Sequence, residues 1–346
     1  MTRRKNPAWL TALDGRAGAP HHPTVQKIEC RADLRPTRDR RRQKMSKTLG
    51  VIGLGSMGFG AAQSALRRDV GTWGFDLNPQ VCERFAAEGG KVAGSLAELA
   101  RHSDVVLVLV VNAAQTESVL FGDDGIAAHL KPGSVVVTAA TVDPIRPPQW
   151  EARLAERGVF LIDGPVSGGA AKAAAGEMTV MASGKPEAFA AAGGLLEAYA
   201  GKIYRLGDKA GVGSTVKMVN QHLAGVHIAA ACEAMALGIR AGARPDELYE
   251  VICNSAGMSW MFQNRVPHIL AGDYTPLSAV NIFIKDLGIV LDAARQLAFP
   301  LPLASAAHQL YLGTAAAGHG QEDDSAVIKL YAALTGIELP QGKEAA

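Results

Sequence analysis

Aromatic side chains are scarce in this sequence and make up only 5% of its 346 residues. Single-stranded nucleic acid is held largely by aromatic stacking platforms, so this scarcity argues against a nucleic-acid partner. Cysteine is also rare, and the four cysteines show neither the paired spacing of a zinc site nor that of a disulfide framework. We therefore expect no metal and a reducing, cytoplasmic location.

Long apolar runs are missing as well. No stretch reaches the roughly 20 apolar residues of a membrane span, and the N-terminus lacks the apolar segment of a signal peptide. Hydrophobic residues account for 48% and charged residues for 20% of the chain. These values are typical of a soluble globular protein without a membrane partner, and the length allows two domains.

Positive charge is concentrated in residues 1–44, which hold 12 Lys and Arg against four Asp and Glu. The rest of the chain is mildly acidic, with 23 Lys and Arg against 29 Asp and Glu. The segment shows no helical or strand period and cannot bury enough apolar surface to order itself. We expect a disordered basic extension, with Met45 as the natural start. A transit peptide is the alternative, but the four acidic residues argue against it.

A glycine-rich turn follows a short apolar strand at residues 49–52. Its glycines fall on G-x-G-x-x-G, and a helical run follows at once. In that arrangement the first glycine permits the turn, the second opens the backbone to a pyrophosphate, and the third lets the helix pack closely. The alternative is a turn that binds nothing. We expect the following residues to bind a dinucleotide: Gly53, Leu54, Gly55, Ser56, Met57 and Gly58.

A second predicted strand, residues 72–75, ends in Asp76. An acidic residue about 20 positions beyond the glycine motif hydrogen-bonds the adenosine ribose in dinucleotide-binding folds. Asp76 would repel a 2′-phosphate, and Leu77 and Asn78 supply no arginine to receive one. We therefore predict that NAD is preferred over NADP.

Predicted strands and helices alternate from Ser46 to about Leu206, which indicates a doubly wound α/β domain of the Rossmann type. Within it, Asp143 is expected to cap a helix that begins at Pro144. Another helix is predicted over residues 186–199. From Gly211 onward only helices are predicted, the first over residues 215–241. The expected division is a disordered extension (1–44), a NAD-binding domain (45–208) and an all-helical substrate and oligomerisation domain (209–346).

Two clusters outside the glycine motif could carry chemistry. Ser167, followed by Gly168 and Gly169, offers a hydroxyl and unobstructed N–H groups to a carboxylate, although an ordinary loop fits equally well. Lys217, Asn220 and Gln221 have the spacing i, i+3 and i+4 and so share one helix face. A lysine held partly dry there could act as acid and base, against the alternative of a solvated lysine.

Lys285 stands in an apolar run and needs a ligand or a partner. Its neighbour Asp286 could be that partner, or the lysine could extend to the surface.

These motifs, in this order, resemble the β-hydroxyacid dehydrogenase family, which includes 3-hydroxyisobutyrate dehydrogenase and tartronate semialdehyde reductase. The resemblance extends over residues 49–339. The cofactor motif matches residues 53–58, the substrate motif 163–169, the catalytic motif 211–220 and a Lys-Asp pair 285–286.

The resemblance implies a NAD-dependent enzyme in which Lys217 is the catalytic acid/base. Ser167, Gly168 and Gly169 would then hold the substrate carboxylate, and Asn220 would orient the substrate. Gln221 departs from the family, because many members have a second asparagine there, and Ala139-Ala140 replaces a serine pair. The remaining residues expected at the NAD site are Val110, Val111, Gln115, Thr141 and Lys285.

The loop 254–265, together with residues 280–286, is most similar to the branch of the family that oxidises L-threonate. Ser259, Gln263, Asn264 and Arg265 are expected to bond substrate hydroxyls. The alternatives are the two other named activities of the family, or a non-catalytic NAD-binding redox sensor that would have no use for a poised lysine. Apolar helix faces in excess of what one helical domain can bury predict a homodimer or homotetramer.

Overall fold

The structure is a computed structural model and describes residues 47–341. The predicted basic extension, residues 1–44, lies outside the described residues. The first layer of the fold is a six-stranded sheet with the order β3-β2-β1-β4-β5-β6. Its strands are β1 (Leu49–Ile52), β2 (Thr72–Phe75), β3 (Lys91–Val92), β4 (Val105–Val108), β5 (Val135–Thr138) and β6 (Phe160–Asp163).

All neighbouring strands of this sheet run parallel. Every residue of β1, β4 and β5 is buried, as expected when helices cover both faces of a parallel sheet. The strand order reverses between β1 and β4, which opens a crevice at their carboxyl ends. The predicted Rossmann-type fold is confirmed. The helices around the sheet are α1 (Ser56–Arg67), α2 (Pro79–Ala87), α3 (Leu96–His102), α4 (Ala113–Phe121) and α5 (Arg146–Ala155).

One helix start in this domain differs from the prediction. Helix α5 begins at Arg146 rather than at Pro144. The Asp143 carboxylate accepts the backbone N–H of Ile145 at 3.1 Å and thereby forms a turn ahead of the helix. Pro147 then occupies the first turn, where a missing N–H leaves no hydrogen bond unmade.

A second, smaller sheet has the order β7-β8-β9, with β7 antiparallel to β8. Its first strand and the helix that follows were not predicted. The predicted helix 186–199 ends at Ala192, because Gly193 takes a positive φ of 61°. These elements are β7 (Val166–Ser167), α6 (Gly169–Ala175), β8 (Met178–Ala182), α7 (Pro186–Ala192) and β9 (Ala200–Arg205).

The chain after residue 211 is helical, and the described residues there contain no strand. Helix α8 (Val212–Arg240) lies at the centre and contacts each of the other five helices. By length and composition alone α8 could span a membrane. Its contacts with α9, α10, α11, α12 and α13 instead make it the central helix of this layer. The surrounding helices are α9 (Pro245–Cys253), α10 (Trp260–Ala271), α11 (Val280–Gln296), α12 (Pro302–Thr314) and α13 (Val327–Thr335).

Candidate active site

The glycine-rich turn at the carboxyl end of β1 has the geometry that a dinucleotide requires. Gly53 has a φ of +89°, and a Cβ there would lie 2.5 Å from the carbonyl oxygen of Leu109. A Cβ on Gly58 would lie 1.8 Å from the carbonyl oxygen of Gly53, so α1 packs directly on the turn. A Cβ on Gly55 would meet no atom within 4 Å. The open side of Gly55, at the start of α1, therefore fits a pyrophosphate.

Asp76 lies beside this turn at the carboxyl end of β2. One carboxylate oxygen accepts the backbone N–H of Leu54 at 2.6 Å, and the other accepts that of Asn78 at 2.8 Å. Asp76 thus holds the glycine turn against the second strand, in addition to the ribose contact predicted for it.

The other residues predicted to line the cofactor site follow β4 and β5 at the same edge of the sheet. The Gln115 side chain accepts the backbone N–H of Val111 at 2.8 Å, and Asn112 caps α4 by accepting the N–H of Gln115. Val111 remains 52% exposed, at the mouth of the crevice. Val110 precedes it, and Thr141 lies half-buried beyond β5.

The candidate carboxylate cradle lies at the end of β7, in the smaller sheet, where the chain enters α6. Ser167 ends β7 and is half-buried. Gly168 and Gly169 have φ values of +133° and +70°, and a Cβ on Gly168 would lie 2.8 Å from the side chain of Lys172. The turn therefore depends on glycine, which leaves its backbone N–H groups unobstructed.

Lys217 is buried on α8, with 8% of its surface exposed. Burial lowers the pKa of its ammonium group to about 8, and the nearby charge of Lys285 acts in the same direction. The carboxylate of Asp286 opposes both by raising this pKa. The solvated-lysine alternative is therefore excluded, and a lysine with this pKa is suited to proton transfer at neutral to alkaline pH.

A hydrogen-bonded cluster connects α8 to α11 beside Lys217. Asp286 is 2% exposed and accepts hydrogen bonds from the side chains of Lys285 and Gln221. Asn220 donates to the side-chain oxygen of Gln221 at 3.0 Å. The structure thus brings together the predicted substrate residues Asn220 and Gln221 and the predicted cofactor residue Lys285. It also confirms the pairing of Lys285 with Asp286.

Comparisons with known proteins agree with this geometry. A family model described as the NAD binding domain of 6-phosphogluconate dehydrogenase matches residues 48–207. A second, described as NAD-binding of NADP-dependent 3-hydroxyisobutyrate dehydrogenase, matches residues 211–331. The chain is 61% identical to an L-threonate dehydrogenase of Cupriavidus necator over 296 residues, which cover 86% of this chain and 99% of that protein.

The chain belongs to the 3-hydroxyisobutyrate dehydrogenase-like family.

Two further members show how closely the family agrees. An L-threonate dehydrogenase of Escherichia coli is 53% identical, over 85% of this chain and 97% of that protein. The crystal structure of a 3-hydroxyisobutyrate dehydrogenase from Salmonella typhimurium is 53% identical, with a TM-score of 0.78, over 82% of this chain and 99% of that one. The protein is therefore a hydroxyacid dehydrogenase that acts on a CH–OH group with a nicotinamide cofactor.

One prediction about the substrate side of this dehydrogenase needs correction. Arg265 is 7% exposed, and its guanidinium group donates to the Asp324 carboxylate at 2.6 and 3.3 Å. Ser259 caps α10 by accepting the N–H of Phe262. All three nitrogens of the Arg265 guanidinium group are thus hydrogen-bonded within the helical layer, Nη1 to the side chain of Asn264, which indicates a structural role. Its partner lies 59 positions away in the sequence, where no local pattern could reveal it.

Proposed function

We propose that this dehydrogenase oxidises L-threonate to the 2-oxo acid with NAD, and that Lys217 is the acid/base. The observation that carries the mechanism is the buried lysine, whose pKa is lowered to about 8. The substrate assignment is supported by five curated relatives, all L-threonate dehydrogenases, that are 50 to 61% identical to this chain.

The chemistry follows from these side chains. Oxidation removes the hydroxyl proton and the hydride on the carbon next to the carboxylate. Neutral Lys217 takes the proton as general base, and the nicotinamide of NAD⁺ supplies the acceptor for the hydride. Ser167, Gly168 and Gly169 hold the substrate carboxylate, while Asn220 orients the hydroxyl groups. Gln221 holds Asn220 in place through the 3.0 Å hydrogen bond.

The cofactor is assigned to the carboxyl edge of the parallel sheet. The backbone of the glycine turn would hold the pyrophosphate, Asp76 the adenosine ribose and Lys285 the nicotinamide. The remaining contacts come from Leu54, Ser56, Met57, Val110, Val111, Gln115 and Thr141. We assign this role to residues 45–208, and the substrate and oligomer roles to residues 209–346.

We further propose a homodimer or homotetramer in the cytoplasm. Several large apolar side chains of the helical layer are exposed, among them Leu237 (70%), Leu303 (66%) and Leu334 (71%). Exposed apolar side chains in this number favour burial against a second copy. Sedimentation velocity should show a dimer or tetramer at micromolar concentration, and a monomer would contradict the proposal. The described cysteines, Cys82, Cys232 and Cys253, are free, as in a reducing compartment.

A substrate panel tests the assignment. Purified protein is mixed with NAD and, in turn, L-threonate and 3-hydroxyisobutyrate, and the reduced cofactor is followed by absorbance. Tartronate semialdehyde is tested in the reductive direction. A site built to bond hydroxyls rejects an analogue that lacks them by roughly 10⁴-fold. Equal turnover of 3-hydroxyisobutyrate would overturn the L-threonate assignment and leave the family unchanged. No turnover of any hydroxy acid would favour a redox sensor.

A further inference from the structure

Asp163 is the first residue of the substrate motif 163–169, but no contact with substrate or cofactor has been assigned to its buried carboxylate. It is the last residue of β6 and is 1% exposed. One of its oxygens accepts the backbone N–H groups of Gly211 at 2.9 Å and Ser214 at 2.8 Å. The other accepts the Ser214 hydroxyl at 2.6 Å. Asp163 therefore hydrogen-bonds three donors at the start of α8, 48 to 51 positions further along the chain.

Helix α8 has no cap of its own. Its N-cap residue is Gly211, at a φ of 99°, and no side chain within the helix start bonds the free N–H groups. Ser183 completes the arrangement: its hydroxyl accepts the N–H of Gly213 at 2.9 Å and lies 3.3 Å from Asp163. Free N–H groups at a helix start need such partners, and here they come from β6 and from the end of β8.

The first turn of α8 lies close to the backbone of β6 and β8. A Cβ on Gly213 would lie 2.3 Å from the carbonyl oxygen of Met181 and 2.7 Å from that of Asp163. Asp163 and Ser183 also exchange backbone hydrogen bonds of 2.9 and 2.8 Å, which join the two sheets at this point. The Asp163 cluster (Asp163, Ser183 and Ser214) thus fixes three elements to one another.

We propose that Asp163 is a positioning residue for the oxidation, because its hydrogen bonds to the first turn of α8 set the depth and direction of Lys217. This inference rests on the proposed role of Lys217. Lys217 is one helical turn beyond Ser214 and lies on the same side of the helix. Ser167 follows Asp163 by four residues along the chain. Asp163 therefore ties the helix that carries Lys217 to the strand that leads into the carboxylate cradle.

Two variants test the proposal. Asp163→Asn keeps the shape and removes the charge, whereas Ser214→Ala removes only the 2.6 Å hydroxyl bond. Displacement of a reacting group by about 1 Å costs up to roughly 10²-fold in rate, so kcat should fall about 10- to 100-fold, more in Asp163→Asn. Water that reaches Lys217 should also relieve its desolvation and move the rising limb of the kcat–pH profile to higher pH. NAD affinity should not change.

The matched control is Asp104→Asn. Asp104 accepts the backbone N–H of Thr48 at 2.8 Å. This is another long-range carboxylate bond of the six-stranded sheet, but it lies at the amino ends of β1 and β4, away from the candidate site. This variant should keep the wild-type kcat and the wild-type position of the rising limb of the kcat–pH profile.

The proposal is overturned if Ser214→Ala and any folded Asp163→Asn keep both the wild-type kcat and the wild-type position of this limb. It is also overturned if kcat falls while the limb stays at the wild-type pH. If Asp163→Asn does not fold, Ser214→Ala decides. Lys217→Ala is measured in parallel: an active Lys217→Ala enzyme contradicts the proposed function itself, whereas an inactive one beside a normal Ser214→Ala contradicts only the positioning role.

Discussion

The side-chain amide of Gln221 donates a hydrogen bond to the carboxylate of Asp286 and thereby joins the polar face of α8 to α11. The same carboxylate accepts the ammonium group of Lys285. Asp286 and Lys285 shift the pKa of Lys217 in opposite directions. Burial is the main cause of the lowered pKa of Lys217, and the two charges of this cluster adjust the pH at which Lys217 becomes neutral.

Lys217 itself gives the simplest test. As the proposed base, Lys217 must be neutral to take the proton, so kcat should rise with pH and level off above a pH of about 8, where the pKa of Lys217 lies. Lys217→Ala should lower kcat by roughly 10²–10⁴, and Lys217→Arg should fare no better because guanidinium keeps its proton. Stopped-assay kcat values are compared with NAD affinity from fluorescence titration, which should stay the same. A Lys217→Ala enzyme within a few-fold of wild type would contradict the role.

Two neighbouring substitutions should move the pH profile in opposite directions. Asp286→Asn removes the negative charge that raises the pKa of Lys217, so the rising limb should shift to lower pH by about one unit. Lys285→Met removes a positive charge that lowers the same pKa, so the limb should shift to higher pH. Shifts of the same sign in both variants would show that the cluster does not act through charge.

Replacing Lys217 should also stabilise the protein. The folded-state pKa of about 8 is below the ordinary lysine value of 10.5, so folding disfavours the charged form. At pH 7 the lysine is mostly charged in both states, and the cost of burying that charge favours the unfolded state. This cost falls as the pH rises above about 8 and disappears above pH 10.5. Lys217→Met should therefore raise the free energy of unfolding at pH 7 by up to about 3 kcal/mol. Denaturant unfolding at pH 7 and 11 checks this: a less stable variant at pH 7, or an equal gain at pH 11, would contradict it.

The glycine turn allows cofactor binding and folding to be separated. Gly55→Val should leave the melting temperature nearly unchanged, because a Cβ there meets no atom within 4 Å. The side chain should instead occupy the space of the pyrophosphate and weaken NAD binding by about tenfold or more. Gly58→Ala is the contrasting variant, since its Cβ would lie 1.8 Å from a carbonyl oxygen and should lower the melting temperature. Unchanged NAD affinity in Gly55→Val would place the cofactor elsewhere.

Cofactor choice is tested at Asp76. The ratio of kcat/KM for NAD to that for NADP should favour NAD, because the Asp76 carboxylate repels a 2′-phosphate. Asp76→Asn keeps an oxygen that can accept the N–H of Leu54, so the turn should survive while the ratio falls. Comparable wild-type values for the two cofactors would contradict the prediction.

Elements with a strong local sequence pattern could be predicted from the sequence. The strands predicted at residues 49–52 and 72–75, and the change to helices alone after residue 211, agree with the structure. The two-residue strand β7 was missed because it is too short to show a period. Residues 186–199 were predicted as one helix, but the positive φ of Gly193 ends this helix at Ala192.

Hydrogen bonds between residues far apart in the sequence could not be predicted either. The bond of Arg265 to Asp324, and that of Asp163 to Ser214, join residues 51 to 59 positions apart. Which donor finds which carboxylate is decided by how the helical layer packs on the sheet. The cluster around Asp286 could be predicted only in part: the motif indicated the pair Lys285 and Asp286, but not the hydrogen bond between Asp286 and Gln221.

Helix α8 is 29 residues long, or roughly 43 Å at 1.5 Å per residue. Its first turn is fastened to β6 and β8, while the rest forms the centre of the helical layer. The connection around residues 207–212 is therefore not a free hinge, since rotating the helical layer there would break the bonds that Asp163 makes. Substrate entry and product release then depend on movement of surface loops, or on bending of α8, around a base whose position relative to the sheet stays constant.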